Sequence, residues 1–183
     1  MKVGPEEAWR LLETAEVVCT EECVRTEVSR MAAEIGAKLG ERQPLVLAVM
    51  RGSVVFAGHL LPLLRFPLQF DYLDLTRYNN TTSGGEIDWK VSPGTNVAGR
   101  SVLVLDDILD EGHTLAAVRA KLLEAGAGEV HIAVFSQKDT GRPKPVAADF
   151  VGISLPNRYV FGFGMDVHGI WRNLPAVYAL RGS

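Results

Sequence analysis

The chain has 183 residues, of which 47% are hydrophobic and 22% charged, and its formal net charge is −3. This length is enough for one well-buried domain and too short for two ordinary ones, so residues 1–183 are predicted to form a single domain. The 19 basic and 22 acidic residues include no dense basic run, which argues against nucleic acid or an anionic membrane as the main partner.

Two features of the sequence bear on the cell compartment. The first 16 residues include four glutamates, and no apolar run in the chain approaches the length of a membrane span. A signal peptide and a transmembrane helix are therefore not supported, and we expect a cytoplasmic protein.

Cys19 and Cys23 are the only cysteines, and because no neighbouring histidine or further cysteine completes a metal site, both are expected to be reduced.

Strand-like and helix-like patterns alternate up to residue 91. After Thr20 apolar residues recur at helical spacing, and the apolar run 45–50 is typical of a strand covered on both faces. The polar, aperiodic stretch 79–85 predicts a mobile loop. The elements predicted here are a strand at 17–19, a helix at 20–39, a strand at 45–50, a helix at 53–64, a strand at 68–78 and a returning strand at 86–91.

The second half of the chain continues the alternation. Its predicted elements are a strand at 102–105, a helix at 114–125, a strand at 129–136 and a last core strand at 150–153. This order implies the α/β class, with an open parallel twisted sheet and helices on both faces. The core is expected at about 41–155, and the segments 1–40 and 156–183 are expected to meet over the sheet edge as a small hood.

Residues 101–117 are the most informative stretch for function. The apolar run Val102–Leu105 leads to Asp106 and Asp107, which places both carboxylates at the carboxyl edge of the sheet, where open α/β folds bind ligands. The turn 110–114 reads Asp-Glu-Gly-His-Thr and can point backbone N–H groups and a hydroxyl at a phosphate, assisted by the following helix N-terminus. The alternative is a solvated loop with an aspartate helix cap. Three carboxylates beside a phosphate-type turn favour a phosphorylated sugar as ligand.

Two other phosphate-binding motifs are absent from the sequence. No Gly-x-x-x-x-Gly-Lys-Ser/Thr occurs, and no Gly-x-Gly-x-x-Gly follows a predicted strand and opens a helix. The short match Gly162-Phe163-Gly164 does not change this. Nucleotide binding of the P-loop or Rossmann type is therefore not supported.

The segment 101–117 resembles the phosphoribosyl pyrophosphate signature of the type I phosphoribosyltransferases. Over roughly residues 10–180 the chain is most similar to the hypoxanthine-guanine phosphoribosyltransferases. The further segments that carry this likeness are Met50-Arg51-Gly52, Asp71-Tyr72-Leu73 through Tyr78, Lys138, and Asp149-Phe150-Val151-Gly152 to Arg172. The resemblance implies a purine-salvage transferase that moves 5-phosphoribose from phosphoribosyl pyrophosphate to hypoxanthine or guanine, giving IMP or GMP and pyrophosphate. It also implies Mg²⁺ as cofactor and a homo-oligomer, dimer or tetramer.

The same resemblance assigns residues to phosphoribosyl pyrophosphate and metal. Asp106 and Asp107 would accept hydrogen bonds from the ribose hydroxyls, directly or through Mg²⁺, and Asp166 would lie near a second metal ion. For Arg51 and Arg172, implied to contact pyrophosphate, the alternative is an ordinary surface charge or salt bridge. The implied phosphoribosyl pyrophosphate site comprises Arg51, Gly52, Asp106, Asp107, Asp110, Glu111, Gly112, His113, Thr114 and Arg172, and the implied metal ligands are Asp106, Asp107 and Asp166.

On the purine side the resemblance implies a proton acceptor, a specificity residue and a stacking ring. Asp110 would take the proton as general base near N7, and Lys138, which has only donors, suits an exocyclic oxygen at C6. Tyr159 would stack on the purine, although a plain core role is the alternative, and Val160 would offer its backbone to the base edge. Tyr78 and the polar loop after it would form a lid that excludes water.

Some positions depart from the family pattern. Glu111 and His113 replace the threonine and lysine common in the phosphate turn, while Thr114 is kept, so phosphate binding is expected with an altered charge balance. Asn157 and Arg158 also differ, which leaves the preference between hypoxanthine and guanine open.

Other functions are compatible with the same fold class. A regulatory protein could retain the fold and bind nucleotide and nucleic acid, but it would be expected to show a basic patch and could dispense with Asp110. A transferase acting on xanthine or another base is a further alternative. The acidic chain and the presence of Asp110 favour the enzyme.

Overall fold

Two β-sheets organise the computed structural model, which describes residues 3–77 and 87–182. The helices are α1 (Pro5–Thr14), α2 (Glu21–Leu39), α3 (Ser53–Leu60), a 3₁₀ turn at Leu61–Leu63, and α4 (His113–Glu124). The strands are β1 (Glu16–Cys19), β2 (Leu45–Met50), β3 (Gln69–Arg77), β4 (Ile87–Val91), β5 (Ser101–Leu109), β6 (Glu129–Asp139), β7 (Phe150–Pro156), β8 (Val160–Phe161) and β9 (Val177–Ala179). Every predicted element is present in the described residues, and α1, β8 and β9 occur in addition.

The main sheet has six strands in the order β4-β3-β2-β5-β6-β7. All neighbours run parallel except β4, which returns antiparallel to β3. The chain therefore leaves β2 towards β3 on one side and reaches β5 on the other. In such a sheet, the crevice at the carboxyl ends of these two central strands is the usual ligand site. The predicted α/β fold class is confirmed.

Both faces of the central strands are buried, as their continuous apolar sequences require. Val46 and Leu103 lie in register on one face and pack in the cluster that includes apolar side chains of α2 and α3. Leu47 and Val104 lie in register on the other face and pack with α4. No helix in the described part of the chain is long and apolar enough to cross a membrane.

A small antiparallel sheet, in the order β1-β9-β8, joins the two ends of the chain. Residues 21–39 form the predicted helix as α2, but its buried side chains pack in the core of the main sheet, whereas this segment was expected in the hood. The physical reason is the long apolar stripe of α2, which needs a broad partner surface that the three short strands do not provide. We therefore propose a hood that consists of the small sheet with α1, within a single domain.

The two cysteines are disulfide-bonded, so the expectation of reduced thiols is wrong for this structure. Cys19 ends β1, and Cys23 lies in the first turn of α2, where its N–H donates to the Thr20 hydroxyl at 3.2 Å. This strand-to-helix turn brings the two Cα atoms to 5.6 Å, a separation that a disulfide spans.

Strand β5 is longer than predicted. It continues past Leu105 to Leu109, so Asp106 and Asp107 lie inside the strand, and Asp110 is the first residue beyond it. Its pairing with β6 runs from Ser101↔Glu129 to Leu109↔Gln137, so the backbone is still extended at Asp106 and Asp107. The two aspartates are adjacent on this extended backbone, and their carboxyl groups lie close enough to interact.

Candidate active site

The carboxylate pair of β5 is buried. Asp106 and Asp107 are 9% and 8% exposed, and the Asp107 N–H donates to Asp106 Oδ1 at 3.0 Å. Burial raises the pKa of Asp106 well above its ordinary value, and the negative charge of Asp107 adds to the rise. Burial also raises the pKa of Asp107, against the opposing effects of its hydrogen bond with the Asp106 side chain and of Arg172, whose Nη1 lies 3.8 Å from Asp107 Oδ2. Two carboxyl groups whose ionisation is disfavoured are thus held at the carboxyl ends of the strands. Carboxyl groups with pKa values shifted in this way are common at functional sites.

Replacing Asp106 by Asn is expected to stabilise the ligand-free fold near neutral pH. Because the folded-state pKa lies above the unfolded value, ionisation destabilises the fold, and this loss grows as the pH rises from the unfolded pKa through the folded one. Asn carries no charge, so the free energy of unfolding should rise by about 1 kcal/mol near neutral pH, a usual size for a single stabilising change. The gain should be small at about pH 4, because there the carboxyl is protonated in the folded state and about half protonated in the unfolded state. Urea unfolding at both pH values measures this, and a less stable variant at neutral pH would contradict it.

The turn after β5 opens a large cavity. Gly112 has φ +86°, a left-handed conformation that favours glycine, and α4 begins at the next residue, His113. The first N–H groups of a helix have no intrahelical acceptor, so this end of α4 can bind an anion. The cavity measures about 690 Å³ and is lined by Asp106–Leu115 together with Thr140, Arg142, Pro143, Lys144, Pro145 and Asn157.

A second, smaller cavity adjoins the carboxylates on the β6 and β8 side. It measures about 200 Å³ and is lined by Asp107, Ile108, Asp110, Lys138, Tyr159, Val160, Met165 and Asp166. The Lys138 ammonium donates to Asp110 Oδ2 at 2.9 Å, and the two side chains are 13% and 47% exposed. A mostly buried ammonium group and a more exposed carboxylate are therefore hydrogen-bonded to each other at one wall of this smaller cavity.

The loop 162–172 closes the site from the C-terminal side. Arg172 donates through Nη1 to the Gly164 carbonyl at 2.7 Å and through Nη2 to Asp166 Oδ1. Asp166 Oδ2 also accepts the Gly169 N–H at 2.7 Å, and its carbonyl accepts the Tyr159 hydroxyl at 3.4 Å. Burial raises the pKa of Tyr159, and the Asp166 charge adds to it. Asp166 is thus held by Arg172 at the rim of the smaller cavity.

The turn after β2 packs directly on the carboxylate pair. A Cβ built on Gly52 would overlap the Asp107 carboxylate, and one built on Gly164 would overlap the Gly52 carbonyl. Only residues without a side chain allow the β2–α3 turn, β5 and the loop 162–172 to approach this closely. The Arg51 side chain is exposed and lies outside the linings of both cavities.

Most of the residues singled out from the sequence converge on the two cavities. Asp106, Asp107 and the turn 110–114 line the larger one, and the base-side residues line the smaller one. Tyr78 and the loop 79–85 lie outside the described residues. Lining residues that sequence reasoning did not assign are Ile108, Leu109, Leu115, Thr140, Arg142, Pro143, Lys144, Pro145 and Met165. They carry no motif of their own, and only the return of the β6–β7 connection over β5 brings most of them to the site.

An open parallel sheet with buried carboxylates, a phosphate-type turn and a cavity at its central strands is the arrangement typical of α/β proteins that bind phosphorylated ligands. Residues 21–168 match the protein family described as "Phosphoribosyl transferase domain". The chain belongs to this family, and the resemblance seen in the sequence is confirmed.

Curated relatives agree with this assignment. The chain is 31% identical over 166 residues to the hypoxanthine-guanine phosphoribosyltransferase of Bacillus subtilis, covering 90% of this chain and 92% of that protein. It is 36% identical over 157 residues to the enzyme of the same name from Lactococcus lactis, covering 85% of each. A hypoxanthine-guanine-xanthine phosphoribosyltransferase of Tritrichomonas foetus is 31% identical, with 91% and 92% covered.

Solved structures share the fold. A hypoxanthine phosphoribosyltransferase of Staphylococcus aureus superposes with a TM-score of 0.88 at 24% identity, covering 94% of this chain and 95% of that one. A hypoxanthine-guanine-xanthine phosphoribosyltransferase superposes with a TM-score of 0.84 at 28% identity, covering 92% and 98%. The fold class and the purine-salvage class of transferase predicted from the sequence therefore agree with both kinds of comparison.

Proposed function

We propose that this enzyme transfers 5-phosphoribose from phosphoribosyl pyrophosphate to hypoxanthine or guanine, releasing pyrophosphate. The observation that carries the proposal is the pair of adjoining cavities, which share Asp107, Ile108 and Asp110. The larger one has the phosphate turn and the smaller one has the Lys138–Asp110 pair. Sugar phosphate and base would thus meet at the end of β5.

The larger cavity suits the phosphoribosyl group. The carboxyl oxygens of Asp106 and Asp107 accept hydrogen bonds from ribose hydroxyls, and the α4 N-terminus with the Thr114 hydroxyl receives the 5′-phosphate. The turn itself carries Glu111 and His113, in place of the threonine and lysine that the family resemblance leads us to expect. Arg142, from the β6–β7 connection, lines the same cavity and supplies positive charge there, whereas the ammonium of the nearby Lys144 is bonded to the Leu109 and Lys138 carbonyls.

The carboxylate pair also fits a magnesium ion, since this hard cation takes oxygen ligands and is held mainly by substrate phosphates with one or two carboxylates. In the described part of the chain no three His, Cys, Asp or Glu side chains cluster closely enough to hold a metal ion alone. Asp106 and Asp107 would therefore hold the ion together with substrate, and Asp166, which Arg172 already pairs, would lie near a second one. Bound Mg²⁺ would neutralise the leaving pyrophosphate.

The smaller cavity suits the purine. Asp110 accepts the proton from N7 as the other imidazole nitrogen attacks the anomeric carbon and pyrophosphate leaves, and the Lys138 ammonium donates to the oxygen at C6. Both groups bond to each other in the ligand-free site, so the base edge would replace that bond by one bond to each. Tyr159, 45% exposed, offers a ring face for stacking, and the Val160 backbone faces the base edge.

The remaining assigned residues complete the site. Arg172 contacts pyrophosphate with charge-assisted hydrogen bonds, and the Arg51-Gly52 turn offers it backbone N–H groups. Tyr78 and the loop 79–85, which lie outside the described residues, keep their proposed role as the lid that excludes water from the oxocarbenium-like transition state.

The assembly and the compartment complete the proposal. We propose a homo-oligomer in the cytoplasm. Phe70 and Tyr72 follow each other on one face of β3 and are 47% and 43% exposed, and Val54 of α3 is 49% exposed. Large apolar side chains left in water in this way favour association.

A purine panel tests the proposed reaction. Purified protein, phosphoribosyl pyrophosphate and Mg²⁺ are incubated with hypoxanthine, guanine, xanthine or adenine, and pyrophosphate release is followed. Hypoxanthine or guanine should be used best. Absence of release with both would overturn the proposal, and use of xanthine alone would move it to another branch of the family.

Replacing Gly52 by Ala is expected to damage the site more than the fold. The new methyl group must push Asp107 or the turn aside. Overpacking of this kind typically costs about 1–3 kcal/mol of stability, and a displacement of about 1 Å can cost about 10²-fold in rate. Gly58→Ala is the matched control, because a Cβ at that position of α3 meets nothing within 4 Å. Turnover and thermal unfolding of both variants measure the effect, and equal turnover would contradict it.

A further inference from the structure

Lys144 makes hydrogen bonds that bridge two strands of the active site. It lies in the connection between β6 and β7, and its part-buried ammonium donates to the Leu109 carbonyl at 2.8 Å and to the Lys138 carbonyl at 2.6 Å. Burial lowers the pKa of Lys144, against the opposing effect of the nearby Asp110 and Asp139 carboxylates. A cation that is partly desolvated and bonded to backbone oxygens has a structural task there.

The two carbonyl groups lie where the main sheet opens. The β5–β6 pairing ends at Leu109↔Gln137. Beyond this pair β6 continues beside β7, whereas the segment that follows β5 turns away at Asp110. Leu109 directly precedes Asp110, so one of the two carbonyl acceptors belongs to the residue next to the proposed general base. The other acceptor is the backbone of Lys138 itself. The ammonium therefore spans the gap between the residues that carry the two groups proposed to bind the purine.

We infer that Lys144 is a positioning residue, which ties Leu109 to Lys138 and thereby fixes the placement of the Asp110 carboxylate relative to the Lys138 ammonium. This inference rests on the proposed function for its kinetic consequences. Asp110 is 47% exposed and follows a strand end, so its side chain has little packing of its own. Besides its hydrogen bond from Lys138, the charge-assisted bridge on the adjacent Leu109 carbonyl is what holds this residue in place. Precise placement of both groups is what the chemistry requires.

Three variants separate this role from others. Lys144→Met keeps the apolar stem but removes the donors, Lys144→Arg keeps several donors, and Lys90→Met is the control on the exposed surface of β4. With hypoxanthine, Lys144→Met should lose about tenfold or more in kcat, with a smaller ratio of hypoxanthine to adenine kcat/KM. The KM for phosphoribosyl pyrophosphate should stay within about twofold, since uniform substrate binding is not affected. Lys144→Arg should recover most of the loss, and Lys90→Met should match the parent.

Two kinetic outcomes would overturn the inference. Unchanged kcat and base preference in Lys144→Met would remove the positioning role. A loss confined to the KM for phosphoribosyl pyrophosphate would make Lys144 a substrate contact, which its place in the lining of the larger cavity allows.

Hydrogen exchange of the ligand-free proteins gives a readout that does not depend on activity. The amides of residues 109–114 and 137–140 should exchange faster in Lys144→Met than in the parent and in Lys144→Arg. Thermal unfolding confirms that each variant is folded. If the parent shows no transferase activity, the proposed function fails while the exchange comparison still decides the bridge. Equal exchange in all four proteins would overturn it.

Discussion

Asp110→Asn is expected to lower turnover with hypoxanthine by about 10² to 10⁴, the usual contribution of a positioned acid-base group. The amide keeps the shape of the carboxyl group and its oxygen can still accept from Lys138, which now bonds to Asp110 Oδ2 at 2.9 Å. It cannot take up a proton from the purine. The loss should therefore appear in kcat, whereas the Kd for phosphoribosyl pyrophosphate should change little.

Steady-state kinetics and a direct binding titration check this expectation. Glu41→Gln, the same carboxyl-to-amide change at an exposed residue between α2 and β2, is the control and should behave like the parent. Near-normal turnover in Asp110→Asn would remove this residue from the mechanism. A loss of phosphoribosyl pyrophosphate binding in parallel with turnover would instead assign Asp110 to the sugar phosphate.

Lys138→Gln is expected to change which bases the enzyme uses. The Lys138 side chain is only 13% exposed, so its ammonium is poorly solvated, and the base that displaces its bond to Asp110 has to supply an acceptor in exchange. An adenine amino group is a donor, and two desolvated donors left unpaired can lower kcat/KM by about 10⁴ or more. Adenine should accordingly be almost inert with the parent enzyme.

The Gln side chain offers an oxygen that can accept from the adenine amino group. The variant should lose hypoxanthine activity strongly and lose far less with adenine, so the ratio of the two kcat/KM values is the quantity to measure. Lys90→Gln, on the exposed surface of β4, controls for the loss of one positive charge. A ratio within a few-fold of the parent value, about 1 kcal/mol or less, would show that Lys138 does not select the base.

The sequence by itself was sufficient for the fold class and for the chemistry at the end of β5. Continuous apolar runs such as 45–50 predict strands buried on both faces, and strand–helix alternation leaves few topologies other than an open parallel sheet. The aspartates and the turn 110–114 are neighbours in the chain, so their juxtaposition is a local property. This is why those residues could be assigned to one site before any tertiary contact was known.

The tertiary structure decided what depends on segments distant in sequence. The placement of α2 on the main sheet, the Lys144 bridge to Leu109 and the packing of Gly52 on Asp107 are examples. The link between Arg172 and Asp107 likewise joins residues far apart in the chain. Local patterns report which face of an element is apolar, but they do not state which surface it meets, because that choice is made by the packing of the whole core. The lining of the two cavities follows from this packing, and so does the part each unassigned lysine or arginine plays in the site.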